Sequence, residues 1–385
     1  MADDSYTEVT TKSWGNRLSG SIKGIVPGLI LIVIGVSLLW WNEGRAVKRE
    51  RALNEGQGQV VSVAASPVEA QNEGKLIHTH GLATTDETLT DTDFGISAQA
   101  IKLRRNVEMY QWKENSSSRT EEQMGGGTKT TTTYSYEKAW QKQLIDSTNF
   151  KKPTGHQNPA DMPYKAKTKQ AAKVTLGAFT LSESLIGQIS RYSDISLNKD
   201  SVQLADENAH LNTAYIYLGK DPAKPEIGDM KISFQSVNPM QVSLVSVQRS
   251  NSFTPFIASN GKLVELLEYG NKPAELMFIN AHDSNEFLTW ILRVVGFFLL
   301  FIGIKMLLGL LPMLAAVIPQ LGHLVGAATG IIAFLVSLVI ALPTIALAWL
   351  FYRPIIAIVL LGVGGAAGYF GWKKLKENKP TETAT

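Results

Sequence analysis

The stretch GIVPGLILIVIGVSLLWW, residues 24–41, decides how the whole chain is read. It carries no charge, and its length sits at the short end of the roughly 17–25 residues that cross a bilayer. It closes on two tryptophans, a residue type favoured at the lipid–water boundary. A cleaved signal peptide is the rival reading. The run is long for a signal core, however, and bulky tryptophans followed by NEGRAVKRER make a poor cleavage site. A retained membrane helix is therefore expected.

Working outward, a second apolar region covers residues 287–372 and is long enough for three more crossings. The first, FLTWILRVVGFFLLFIGIKMLLGLL (287–311), carries Arg293 and Lys305, about 18 Å apart on a helix. Two cations near opposite ends of a span suit snorkelling towards both interfaces; the alternative is a pair of charges on an ion path. LVGAATGIIAFLVSLVIALPTIALAWL (324–350) is uncharged, FYRP (351–354) turns the chain, and IIAIVLLGVGGAAGYFGW (355–372) crosses back. Between them, PMLAAVIPQLGH (312–323) is too apolar for an ordinary loop and is expected to lie in the interface or re-enter the membrane. Trp40, Trp41, Trp349, Arg353 and Trp372 are the expected interface anchors. Gly322, Gly326 and Gly330, and separately Gly364 and Gly368, have the four-residue spacing that lets helix backbones approach closely.

Four crossings put both ends on one side of the membrane. The lysine-rich KKLKENK after residue 372 makes that side cytoplasmic by the positive-inside tendency, although Arg45, Lys48, Arg49 and Arg51 point the other way. On this reading residues 1–23 and 373–385 are cytoplasmic tails. Residues 42–286 form a large domain in the periplasm or lumen.

That domain is polar and rich in short runs of Thr, Val, Ile and Tyr punctuated by Gly, Pro, Asn and Asp, the pattern of a β-rich fold. In IKLRRNVEMYQW (101–112) the apolar residues alternate, and Arg105 falls in the apolar register. An inward arginine needs a carboxylate or several carbonyls, so Arg105 is expected in an internal salt bridge and Arg104 in solvent. KTTTTYSY is expected to pair with VEMYQWKE in a long hairpin, with short helices at 181–192 and 260–270. The chain has no cysteine, which excludes disulfides, Cys-bound metal and a thiol nucleophile. HTH (78–80) lacks a third metal ligand, MGGGT lacks the lysine of a phosphate loop, and the carboxylates are scattered. No catalytic residue, cofactor or metal is expected, and a net charge of +3 gives no case for nucleic acid.

The ordered phrases NEGRAVK (42–48), NEGKLIHTHG (72–81), KLRRNVEMYQW (102–112), YSYEKAW (134–140), GHQNPADM (155–162), PEIGDMKISF (225–234) and WLFYRP (349–354) closely resemble the LUMA family, also called the transmembrane protein 43 family. The resemblance runs from the first helix to the last. It implies four membrane helices, a luminal or periplasmic domain between the first and second, and cytoplasmic termini. Animal members of the family reside in the endoplasmic reticulum and inner nuclear membrane. They associate with themselves, emerin and lamins, and are linked to nuclear-envelope organisation and membrane conductance. The resemblance carries no catalytic residues. The missing cysteines and plain termini point to a bacterial relative, which would place this chain in an inner membrane without lamin or emerin partners.

The expectation is thus an α+β membrane protein with one N-terminal and three C-terminal transmembrane helices and a β-rich extracytoplasmic domain inserted after the first. Its expected role is non-enzymatic: a multi-pass scaffold that forms homo-oligomers and organises the bilayer or other membrane proteins. The alternative is an ion channel or channel subunit using Arg293 and Lys305.

Overall fold

A computed structural model describes residues 5–198, 202, 209–355 and 358–359. The expected fourth helix, with Gly364, Gly368 and Trp372, and the tail after it lie outside the described residues, apart from a few residues at its start. The chain separates into two compact units. Met1–Thr10, Ala52–Glu121 and Lys129–Ala281 form the first; Thr11–Arg51, Glu122–Thr128 and His282–Thr385 form the second.

The first unit is β-rich. Its principal strands are β1 (Ser5–Lys12), β2 (Leu76–Thr84), β3 (Lys102–Glu122), β4 (Thr128–Gln141), β5 (Met230–Val237), β6 (Met240–Arg249) and β7 (Leu266–Tyr269). An eight-stranded sheet runs β1–β4–β3–β5 and continues through Ile216–Leu218 and Ala209–Leu211. A seven-stranded sheet is centred on the antiparallel pair β2–β6, with β7 on the other edge of β6. Register follows side-chain chemistry: β3 sets Val107 against Ile232 and Met109 against Met230 of β5, keeping apolar residues on one face. The inward faces of the two sheets share one core, with Leu103, Val107, Ile232 and Phe234 from one and Ile77, Leu176, Val242 and Leu244 from the other.

Three sequence expectations change here. Residues 5–12 do not form a free tail, since β1 is hydrogen-bonded to β4 as the edge strand of the larger sheet. NGKLVELLEYG forms strands Leu263–Val264 and Leu266–Tyr269 and no helix, because its apolar positions alternate well enough to bury Val264 and Leu266. Arg104 is not free in solvent: its guanidinium lies 3.5 Å from the Tyr192 ring centroid. Of the two expected short helices, the first forms as a shorter segment, Glu183–Gln188, capped by the Ser182 hydroxyl.

The second unit is helical: α1 (Trp14–Lys23), α2 (Ile25–Gln57), whose last residues reach into the first unit, α4 (Ala274–Leu308), α5 (Leu310–Ala315) and α6 (Pro319–Tyr352), with α3 reserved for Glu183–Gln188. Among the described residues, three helices are long and apolar enough to cross a membrane, contained in 14–57, 274–315 and 319–352. The helices overrun the expected domain boundaries. α2 continues through residues 42–57, α4 starts well before residue 287, and most of the expected interfacial segment 312–323 is helical, in α5 and the first turn of α6. The cause is general: a helix that satisfies its own backbone hydrogen bonds has no reason to end where the hydrocarbon does.

Close packing of α2 on α4 rests on glycines two turns apart. A Cβ at Gly28 would lie 2.9 Å from the Gly303 carbonyl oxygen, one at Gly303 would lie 2.7 Å from that of Gly28, and one at Gly35 would lie 3.0 Å from that of Gly296. Backbone meets backbone there, which only glycine permits. α6 turns a seam of small residues inward, Ala333, Ser337, Ala341 and Ala348. Leu39, Leu300 and Ala341 mark the point where the three helices meet. Near the other end of the unit, the turn 122–128 is held by α1. Arg17 donates to the Glu122 carboxylate and to the Gly126 carbonyl, each at 2.7 Å, and the Trp14 indole donates to the Met313 carbonyl.

Candidate functional site

The residues with the densest unexpected chemistry are Asn42, Glu43, Gly44 and Arg45, which follow the apolar part of α2 directly. A helix places them on successive faces, 100° apart, so together they address several neighbours. Glu43 is buried, with its side chain 2% exposed, and its carboxylate accepts from Arg293 of α4 at two points, 2.7 Å from Nε and 2.9 Å from Nη2. The same carboxylate accepts from the Trp349 indole of α6 at 2.8 Å. The Arg293 guanidinium also lies 4.7 Å from the Trp290 ring and 5.8 Å from that of Trp349. One carboxylate thus ties three helices together.

The neighbours complete the junction. Asn42 donates to the Thr289 carbonyl, and Arg45 donates to Asn285 and to the Thr289 hydroxyl, each at 2.9 Å. Asn285 returns a hydrogen bond to the Ala46 carbonyl. Gly44 leaves room for Tyr352, whose ring would sit 2.7 Å from a Cβ at that position. Glu50 pairs with Arg353, and Arg51 donates to the Tyr352 carbonyl. Beside these groups opens a cleft of about 400 Å³, lined among others by Glu43, Glu50, His282, Trp290, Trp349 and Arg353. The arrangement contains no nucleophile set beside a base and no array of open metal ligands. Chemically it can hold helices in register and present matched charges to a polar group at the membrane boundary.

The other expected site residues fall into different roles. Of the interface anchors, Trp41 is 57% exposed, while Trp40 packs beside Phe351 and Tyr352, and Trp349 and Arg353 are engaged in the junction. Lys305 is exposed near the C-terminal end of α4. The glycines of α6 separate: Gly322 meets Ala316 within the chain, Gly326 makes an ordinary contact with Pro312, and Gly330 has nothing within 4 Å among the described residues. The glycines that hold α2 to α4 differ from those with the four-residue spacing, although their seven-residue spacing is visible in the sequence. Arg105 is 5% exposed, donates to both Asp91 and Asp93 and sends Nε to the Lys165 carbonyl at 3.0 Å. Its hydrogen bonds and charge hold the Asp93 carboxyl below the ordinary aspartate value.

His78 uses both ring nitrogens. Nε2 lies 2.8 Å from the Lys272 carbonyl, which can only accept, so Nδ1 is the acceptor for the Ser62 hydroxyl at 3.1 Å. Burial pushes this imidazole below the ordinary histidine value. Among the described residues, no group of three or more His, Cys, Asp or Glu side chains is placed to hold a metal.

The Glu43–Arg293 pair escapes sequence reading because its members are 250 positions apart. The available hint was that NEGRAVK follows a membrane helix with a carboxylate immediately inside it.

Comparison with known proteins agrees with this membrane architecture. The family model described as Transmembrane protein 43 matches residues 109–354. Transmembrane protein 43 of Homo sapiens is 34% identical over 360 residues, covering 90% of this chain and 89% of the relative. The Transmembrane protein 43 homolog of Drosophila melanogaster is 32% identical over 359 residues, covering 89% and 92%. No solved structure gives a match. With a family model and full-length relatives in agreement, the chain belongs to the transmembrane protein 43 family.

Proposed function

We propose that this protein is an integral-membrane scaffold that self-associates and organises neighbouring membrane proteins or the bilayer. The observation that carries this reading is the pairing of Arg293 with Glu43 inside the bundle. The one arginine of the apolar part of α4 is consumed in fastening helices, and the outward surfaces of α2, α4 and α6 are apolar. A fastened bundle with a lipid-facing exterior suits a framework. Conduction would need polar groups left free along a path, and Lys305 lies at the end of its helix, where an ammonium can reach the interface. Gly330 leaves α6 open to close approach by a second helix, which supports lateral association. In this reading the β-rich unit is the extracytoplasmic part, where it meets partners.

The test is reconstitution of the full chain in vesicles at low density, with subunit counting and ion flux measured on the same sample. Assemblies larger than a monomer with no flux are the expected result. Monomers alone, or a current that changes when Arg293 or Lys305 is neutralised, would overturn the scaffold reading.

A further inference from the structure

β1 leaves one side of the larger sheet open. It is hydrogen-bonded to β4 and to no other strand among the described residues, so the N–H and C=O groups along its outer side have no partner in the sheet. Its residues are exposed at every position but one; the exception is Glu8, whose carboxylate faces Lys151 at 3.1 Å. Natural edge strands refuse further pairing by being short, by a proline or bulge, or by lysines along their length. SYTEVTTK runs for eight residues, contains no proline, and carries its one lysine at the last position. Thr, Val and Tyr, which favour extended backbone, make up most of it. Tyr6 and Val9 are 42% and 52% exposed.

The residues of β1 also indicate which strand fits beside it. Glu8 and Lys12 are its charged residues and they balance, so two copies of the strand do not repel as wholes. When identical strands pair antiparallel about a two-fold axis, each residue keeps its own face of the joined sheet. The axis must therefore pass through a residue position, and β1 offers three central choices. An axis at Glu8 sets two carboxylates against each other, and an axis at Thr10 pairs only residues 8–12. An axis at Val9 pairs residues 6–12: Val9 meets Val9, Thr7 meets Thr11, Glu8 meets Thr10, and the Tyr6 ring meets the Lys12 ammonium. No like charges stand opposite each other in that register.

We propose that β1 pairs antiparallel with β1 of a second copy of this chain about an axis at Val9, joining the two larger sheets edge to edge. The proposal rests on the self-association in the scaffold reading and names its interface. A strand pair of this length buries well under the roughly 1,200 Å² of a standard stable interface, so by itself it gives a reversible, concentration-dependent dimer.

The chain has no cysteine, so introduced thiols read the register directly. The full chain is prepared as Val9→Cys, as Ser5→Cys, and as an equal mixture of Thr7→Cys with Thr11→Cys. Detergent micelles are used because they allow either mutual orientation of the two copies. A short bifunctional thiol reagent is expected to give covalent dimers from Val9→Cys and mixed dimers from the Thr7→Cys and Thr11→Cys pair. Ser5→Cys should give none, because its two thiols would stand about 26 Å apart at ~3.3 Å per residue. Val9→Lys, at an exposed position, replaces an apolar pair on the axis with two like charges. It should weaken dimerisation about tenfold in subunit counting while far-UV circular dichroism stays unchanged. No cross-link at Val9, a cross-link at Ser5 as strong as that at Val9, or self-association that Val9→Lys leaves unchanged would overturn this interface. Assemblies that persist in those cases would leave the scaffold reading standing, whereas a parent chain that stays monomeric at every concentration would overturn both.

Discussion

Replacing Arg293 by leucine tests the central junction most directly. The substitution removes both donors from the Glu43 carboxylate and leaves it, 2% exposed, with the Trp349 indole as its one described donor. Losing one partner of a buried ion pair costs about 3–5 kcal/mol, because the remaining charge stays desolvated and unmatched. Removing both charges at once is a different perturbation. In Glu43→Leu with Arg293→Leu the desolvation penalty goes with the pair, so the double variant should recover most of the loss. The size of the recovery separates a working ion pair from two residues that only fill space. The assay is reversible unfolding of the full chain in mixed micelles, followed by far-UV circular dichroism against denaturant, with the four proteins of the cycle compared. The expected pattern is a large loss for Arg293→Leu, a comparable loss for Glu43→Leu, and a double variant well short of their sum. Additive losses, or a loss below about 1 kcal/mol for Arg293→Leu, would refute the claim that one carboxylate fastens the three helices.

Four further outcomes are expected. Arg105→Ala strands the buried Asp91 carboxylate and should destabilise the β-rich unit by about 3–5 kcal/mol; an unchanged unfolding temperature would contradict the structural role of this pair. Gly303→Leu drives a side chain into the Gly28 carbonyl and should cost at least about 1–3 kcal/mol, whereas Gly330→Leu, placed in open space, should spare the fold and weaken self-association in subunit counting. His78 is held below its ordinary value of 6.5, so the unfolded chain takes up its proton first as pH falls. Its contribution is therefore full above about pH 6.5 and is lost as pH drops towards the folded value; thermal unfolding from pH 8 to 5.5 should show a slope that His78→Gln reduces. Trp349→Phe removes one hydrogen bond to a buried carboxylate and should cost about 1.5–3 kcal/mol in the same micelle assay, less than Arg293→Leu.

Much of this architecture was legible in the sequence for simple reasons. An uncharged run ending in tryptophans announces a membrane helix, and alternation across 101–112 announces a strand with an arginine on its inner face. Burial of Arg105 follows from that register, and the need for a carboxylate follows from the cost of burying a guanidinium. Its partners, Asp91 and Asp93, are not deducible, since they sit in and beside a two-stranded hairpin whose placement over β3 is a tertiary fact. Helix ends were misjudged because hydropathy reports where lipid stops, and α2 continues as a polar helix beyond that point. The Glu43 junction was hidden for a related reason: the basic residues at 45–51 read as a flanking charge cluster, while their structural meaning lies in contacts made by α4 and α6. NGKLVELLEYG shows the opposite failure, where short apolar spacing fits both a helix and a strand and only neighbouring strands decide.

The pairing of β1 with β4 constrains the chain's passage through a bilayer. Strands that share backbone hydrogen bonds are bathed by the same aqueous compartment, so Ser5 and the exposed positions of β4 must face the same solution. α2 lies between these strands in the sequence and cannot be the sole crossing between Lys12 and Thr128 while the pair remains intact. In a chain without cysteine, a single thiol introduced at Ser5 and probed with an impermeant maleimide therefore reports the compartment of β4 as well as that of the N-terminus.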